Sequence, residues 1–376
     1  MHDVRDDIGQ LLWVGFASTT APPELRARLD AGRVGVSILF KRNLVIEPTT
    51  HGGVTVDTID LDALVELNRD LHRTAPDGTP ALIAVDQEGG VVQRMRAPAT
   101  HWPPMRAHDG FAAPDDEALA EQVGTAMGHE LRSVGFDIDF APVLDVHTNP
   151  ANPIIGDRAF GTEPETAARR ALAFARGLDA AGILSCGKHF PGHGDTSTDS
   201  HLELPRIDHA WERLERVELL PFQRAAAAKL PMLMTAHVVF AALDATRPAT
   251  LSEQVITGLL RNRIGYQGVI VSDDLDMKAI AAHMGADVAA VAAIRAGCDV
   301  LLLCRDEQHQ ADAEAALHRE AERDSELRRR ISESAARVRA MKKAHVANQA
   351  RRPAPGRDIV GSFAHRQLAD RLAGRA

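Results

Sequence analysis

The chain of 376 residues is short of several things, and most of these shortages exclude a class of protein. Its three cysteines, Cys186, Cys298 and Cys304, are too few and too scattered for a disulfide framework, and no CxxC pair occurs. All three lie in or beside apolar runs, which predicts buried thiols in a reducing compartment. No uninterrupted apolar run reaches the ~18 residues that a membrane-spanning helix needs. Basic residues are outnumbered 43 to 52, a net charge of −9, which argues against a nucleic-acid-binding face. The start, MHDVRDDIGQ, is acidic and lacks a basic stretch followed by a long apolar one, so no signal peptide is read and the cytoplasm is the expected location. Tyrosine occurs once among abundant alanines, which says more about genome composition than about function. There is no internal repeat and no low-complexity block.

What remains is ordinary for a globular protein: 45% hydrophobic and 25% charged residues. Eight short apolar runs recur: LLWVGF (11–16), VGVSILF (34–40), ALIAVD (81–86), FDIDFAPV (136–143), ILSCGKHF (183–190), PMLMTAHV (231–238), GVIVSDD (268–274) and CDVLLLC (298–304). Several are continuous rather than alternating, as parallel strands covered by helices require. Helical patterns separate them, over 61–74, 115–134, 163–181, 211–228, 252–264 and 277–296. Eight strands alternating with helices predict a (β/α)8 barrel of the TIM type. The alternative, an open doubly wound sheet, lacks a GxGxxG after its first strand. Residues 306–346 read as one long charged closing helix. The expected division is a catalytic barrel over 1–346, then a linker and short helical tail over 347–376.

Polar residues collect where the strands end. Asp86 follows ALIAV, Asp145 follows FAPVL, Lys188 and His189 close ILSCG, His237 closes MLMTA, and Asp273 with Asp274 closes GVIVS. The C-terminal strand ends of a parallel barrel form one face, where active sites sit, so these groups point to one shared site. Asp273, nearest its strand, is expected in the barrel mouth, while Asp274 or Asp276 caps the next helix. In DQEGGVVQR (86–94) the Gly89–Gly90 pair permits a tight turn that lets Asp86 and Arg94 face the same mouth. A carboxylate and a guanidinium together suit sugar hydroxyls, although a structural ion pair fits the same residues. Arg158, between the glycines of IIGDRAFG, is a second cation for this site.

The stretch KHFPGHGDTSTDSH (188–201) holds three histidines and two aspartates. A metal site needs convergent, fixed ligands, but Pro191 and Gly192 interrupt the His189/His193 spacing, and HExxH is absent. A phosphate loop fails as well, since GxxxxGK[ST] is missing. Asp199 and His201 fit better as a proton-transferring dyad. The carboxylate would orient the imidazole and favour its charged form, on a glycine-hinged loop able to swing over substrate. His193 and Asp195 are the alternative pair by spacing, and His193 has no firm role.

Together, DQEGG-VQR, APVLDV, GDRAFG, KHFPGHGDTSTDSHLELP, MTAHV and GVIVSDDL resemble glycoside hydrolase family 3, in particular the β-N-acetylhexosaminidases of peptidoglycan recycling. The matching segments span roughly residues 80–275 in family order. The resemblance implies a retaining hydrolase that removes non-reducing terminal GlcNAc from muropeptides, with no cofactor or metal; a monomer that binds neither membrane nor nucleic acid is the expectation beside it. It implies Asp273 as nucleophile, His201 as acid/base, Asp199 as its dyad partner, and Asp86, Arg94, Arg158, Lys188 and His189 as sugar contacts. Val91 stands where the family commonly has arginine. A β-glucosidase, a GlcNAc-glycoside phosphorylase and an inactive sugar-binding barrel are the competing readings.

Overall fold

The computed structural model describes residues 3–51, 54–196 and 204–375. Eight strands close into one barrel: β1 (Leu12–Val14), β2 (Val36–Leu39), β3 (Leu82–Val85), β4 (Ile138–Asp139), β5 (Leu184–Phe190), β6 (Met232–Thr235), β7 (Val269–Asp274) and β8 (Val300–Leu303). Each pairs in parallel with its neighbours in sequence, and β8 closes onto β1. The eight strands lie in the eight apolar runs, and the (β/α)8 expectation holds.

The period-two geometry of a strand explains why both faces are apolar. One set of alternating side chains, including Trp13, Val36, Ile38, Leu82, Ala84, Met232, Val271 and Leu302, fills the barrel interior. The other set, including Leu12, Val14, Ile83, Val85, Ile270 and Leu303, packs outward against the helices. A filled interior leaves room for a ligand only above the last layer, at the C-terminal mouth.

Several helices differ from the simple pattern. The 211–228 stretch breaks into Trp211–Arg216 and Leu220–Ala227, with Pro221 at the start of the second helix, where its missing N–H is harmless. The 277–296 stretch breaks into Lys278–Ala281 and Ala286–Ala296. The long closing helix is two, Glu307–Arg323 and Ser325–Ala350, because the Asp324 carboxylate caps the second by accepting from the N–H groups of Glu326 and Leu327. That helix crosses the closed end of the barrel. Its Val338 joins the interior cluster, and its buried Lys342 donates to Gln10 Oε1 (2.9 Å), Gly35 O (2.7 Å) and Pro80 O (3.0 Å). One element had no counterpart in the sequence reading: an antiparallel ribbon of Ile46–His51 and Val54–Ile59, which follows β2 on the mouth side. The tail carries a 3₁₀ turn, Arg357–Ile359, and a helix, Phe363–Leu372, whose Ala369 and Leu372 are buried.

Candidate active site

A cavity of roughly 550 Å³ opens at the C-terminal mouth. Asp86, Arg94, Arg158, Lys188, His189 and Asp273 all line it, as do Glu88, His193, Asp274, Arg42 and Arg305. Six residues picked out for sugar binding or catalysis are therefore brought together. The other two, Asp199 and His201, lie outside the described residues.

The β3 side begins with the turn after Asp86. Gly89 (φ 98°) and Gly90 (φ 60°) occupy the left-handed region, and a Cβ on Gly89 would lie 2.7 Å from Pro103 O. This turn folds Gln87–Gly89 back on Val92–Gln93 as a small ribbon. The Gln87 carboxamide pins it, with Oε1 accepting from the N–H of Arg94 (2.9 Å) and of Met95 (3.0 Å). Arg94 then donates to Asp86 Oδ2 (3.1 Å), and Lys188 from β5 donates to Asp86 Oδ1 (2.8 Å).

Glu88 locks the cluster together. Lys188 Nζ lies 2.6 Å from its Oε1, and Arg158 grips both carboxylate oxygens at 2.8 and 2.9 Å. Burial alone would raise both carboxyls. Lys188 and Arg94 outweigh it at Asp86, holding that group well below the usual carboxylate range. Arg158 and Lys188 do the same at Glu88, to about 2. Two carboxylates and three basic side chains thus interlock on this wall. The sequence reading passed over Glu88, although it stands inside the DQEGG segment that was singled out.

On β5, both Lys188 and His189 line the cavity, and the peptide bond between them is cis. His189 Nδ1 is 2.6 Å from Asp145 Oδ2, and Asp145 also accepts from the His193 N–H at 2.6 Å. Burial opposes ionisation of Asp145, but His189 outweighs it and lowers its pKa. An ionised carboxylate only accepts, so His189 carries its proton on Nδ1. Burial, then the neighbouring His189, lowers His193 to about 4, so its ring is neutral. Asp195 turns away to accept from Thr148 Oγ1 (2.7 Å) and to meet His209. His193 lines the cavity, with its Nδ1 2.8 Å from Thr196 Oγ1.

On β7, the Asp273 N–H faces Thr235 Oγ1 (3.3 Å), and its Oδ1 accepts from the Asp274 N–H (2.8 Å). Helix capping by Asp274 or Asp276 is not observed, since the next helix starts from Met277 without a side-chain cap. Instead both aspartates hold the β8 end. Asp274 Oδ1 accepts from the N–H of Asp276 and of Cys304, and Asp276 accepts from the Arg305 N–H and meets His309 Nδ1 at 2.6 Å. The loop after β8 leans on these carboxylates, which is why they sit beneath the strand end and not at a helix start. Among the described residues no group of three or more His, Cys, Asp or Glu is placed to hold a metal ion.

The cavity thus has an interlocked cluster of ions on one wall and the strand-end carboxylate of Asp273 on another. Residues 3–341 match the family model described as the glycosyl hydrolase family 3 N-terminal domain. The chain belongs to glycoside hydrolase family 3. Within the family it stands with the β-N-acetylhexosaminidases. It is 35% identical to the β-hexosaminidase A of Pseudoalteromonas piscicida over 376 residues, covering 95% of this chain and 61% of that relative's length. The family 3 β-N-acetylglucosaminidase of Paenibacillus sp. str. FPU-7 superposes with a TM-score of 0.88 at 36% identity, covering all of this chain and 69% of that one. NagZ of Neisseria gonorrhoeae, solved in complex with N-trifluoroacetyl-D-glucosamine, superposes with a TM-score of 0.75 at 31% identity, covering 97% and 98%.

Proposed function

We propose that the protein is a retaining β-N-acetylglucosaminidase that removes non-reducing terminal GlcNAc from peptidoglycan fragments. The carrying observation is the placement of Asp273 on the mouth of the barrel opposite the Asp86–Glu88–Lys188–Arg158 cluster. The cluster and His189 would hold the hydroxyls of the terminal sugar, presenting its anomeric carbon to Asp273. An Asp273 oxygen attacks that carbon while the bond to the leaving oxygen breaks, and His201, oriented by Asp199, gives that oxygen its proton. The resulting ester is cleaved by water that returns a proton to His201, which frees Asp273 and releases GlcNAc with its β configuration retained. A histidine suits this double role because its ordinary pKa lies near neutrality.

The peptidoglycan reading draws support from the wall beyond Asp273. Arg42 and Arg305 line the cavity there, Arg42 stacked 4.3 Å over the Phe40 ring and anchored to the carbonyls of Phe16 and Cys304. Two guanidinium groups suit an aglycone that carries a carboxylate, as the lactyl ether of muramic acid does. A cytoplasmic enzyme is in keeping with three buried, unpaired thiols.

The test compares aryl β-GlcNAc, aryl β-glucose and GlcNAc-1,6-anhydro-MurNAc, each with and without phosphate. Hydrolysis of the two GlcNAc glycosides at a rate indifferent to phosphate is expected. Preference for glucose, or a sugar phosphate product, would replace the reading with a glucosidase or a phosphorylase. No turnover of any of them would leave a binding protein.

A further inference from the structure

The tail that follows the long closing helix lies outside the matched family region, yet it touches the sugar wall through a short chain of contacts. The buried Glu130 carboxylate is the junction. From the tail it accepts from the Gly361 N–H (3.0 Å) and meets His365 Nδ1 (2.8 Å). From the segment after the DQEGG ribbon it accepts from the Thr100 N–H (3.0 Å) and the Thr100 hydroxyl (2.6 Å). The His365 ring also packs on Trp102, with centroids 6.2 Å apart. Trp102 is fully buried, and its backbone holds the ribbon directly. Its N–H donates to Gln93 Oε1 (3.0 Å), and its carbonyl accepts from Gln93 Nε2 (2.9 Å) and the Gly90 N–H (3.0 Å). The next residue is Arg94, the ion-pair partner of Asp86. The close fit is visible at Gly361, where a Cβ would meet Pro98 O at 2.0 Å.

We infer that the tail is a brace: His365 and Gly361, acting through Glu130 and Trp102, hold the ribbon that aims Arg94 and Asp86 at the sugar. They are positioning residues, and the inference rests on the sugar-contact role given above to Arg94 and Asp86. A brace of this kind would set affinity for the terminal sugar more than the rate of the chemical step, because Asp273 stands on another strand. A buried carboxylate that loses one of its donors is left with an unsatisfied acceptor, and its surroundings relax to satisfy it, so the effect reaches the ribbon without a change in the ribbon itself.

Two full-length variants test it, His365→Ala and Gly361→Ala, with His365→Asn as the rescue, since an Asn amide can still donate to Glu130. Hydrogen exchange of the 87–95 peptide should rise about tenfold in the first two while the 82–85 strand peptide is unchanged, and His365→Asn should recover part of the protection. KM for aryl β-GlcNAc should rise about tenfold, with kcat changed less than about twofold. Unchanged exchange at 87–95, or a loss of protection spread evenly over the barrel, overturns the brace. A loosened ribbon with an unchanged KM overturns its link to the sugar. Exchange is read without substrate, so an inactive wild type, which would sink the proposed activity, is told apart from a failed brace.

Discussion

The Arg158 guanidinium is gripped at both ends by the Glu88 carboxylate, Nε to Oε2 at 2.8 Å and the terminal nitrogen to Oε1 at 2.9 Å. Both side chains are almost shielded from water, so this pair fixes where the Arg158 cation stands in the cavity. Glu88→Gln keeps the shape and removes the charge. Breaking one side of a buried ion pair costs about 3–5 kcal/mol, and here it leaves two cations, Arg158 and Lys188, short of a counter-charge. The variant should melt several degrees lower and lose roughly a hundredfold in kcat/KM on aryl β-GlcNAc. A variant with wild-type kinetics would mean that the pair is not part of the binding wall.

Asp274 gives the protein a pH dependence of its own. Burial, then the neighbouring Asp276, raises its pKa from the ordinary 3.8 to about 7. Because folding raises the pKa, the fold prefers the protonated form. Its contribution to stability is full below about pH 4 and is lost progressively as pH climbs to 7, a change on the order of 4 kcal/mol. Asp274→Asn keeps the acceptor for the Cys304 and Asp276 amides but cannot ionise. Urea midpoints of wild type and variant should therefore diverge between about pH 4 and 7, with the variant the more stable at pH 8. Parallel curves would contradict the assignment.

Lys342 closes the opposite end of the barrel with three donors facing three acceptors. Lys342→Met fills similar space but strips Gln10 Oε1 and the Gly35 and Pro80 carbonyls of their ammonium donor, leaving Gly35 O with the Leu82 N–H alone. A loss of about 3 kcal/mol in unfolding free energy is expected, read by denaturant titration, with KM for aryl β-GlcNAc unchanged. A neutral substitution would show that water reaches those carbonyls.

The barrel was legible because parallel strands buried on both faces must be apolar throughout, and each of the eight runs carries its strand. The site was legible for a related reason. A charged residue directly after such a run has one place to go, the mouth, and Asp86, Lys188 and Asp273 are there. Glu88 escaped because it lies past the end of its barrel strand, beside a glycine turn, where an acid reads as a solvated loop residue. Only folding the ribbon back brings it to Lys188, a hundred positions on. Asp274 and Asp276 were misread as helix caps because their partners, Cys304 and Arg305, come from the next strand. The Glu130–His365 contact joins residues 235 positions apart, a separation that no periodicity records.

The account stands most directly on Asp273. Hydrolysis of aryl β-GlcNAc by the wild type and by Asp273→Ala, at equal concentration and with matched thermal melts, measures that. Loss on the order of 10⁴-fold in kcat is predicted, with the variant still binding GlcNAc through the intact Asp86–Glu88–Lys188–Arg158 wall. An Asp273→Ala protein that turns over within about tenfold of the wild type would contradict the mechanism and move the nucleophile elsewhere.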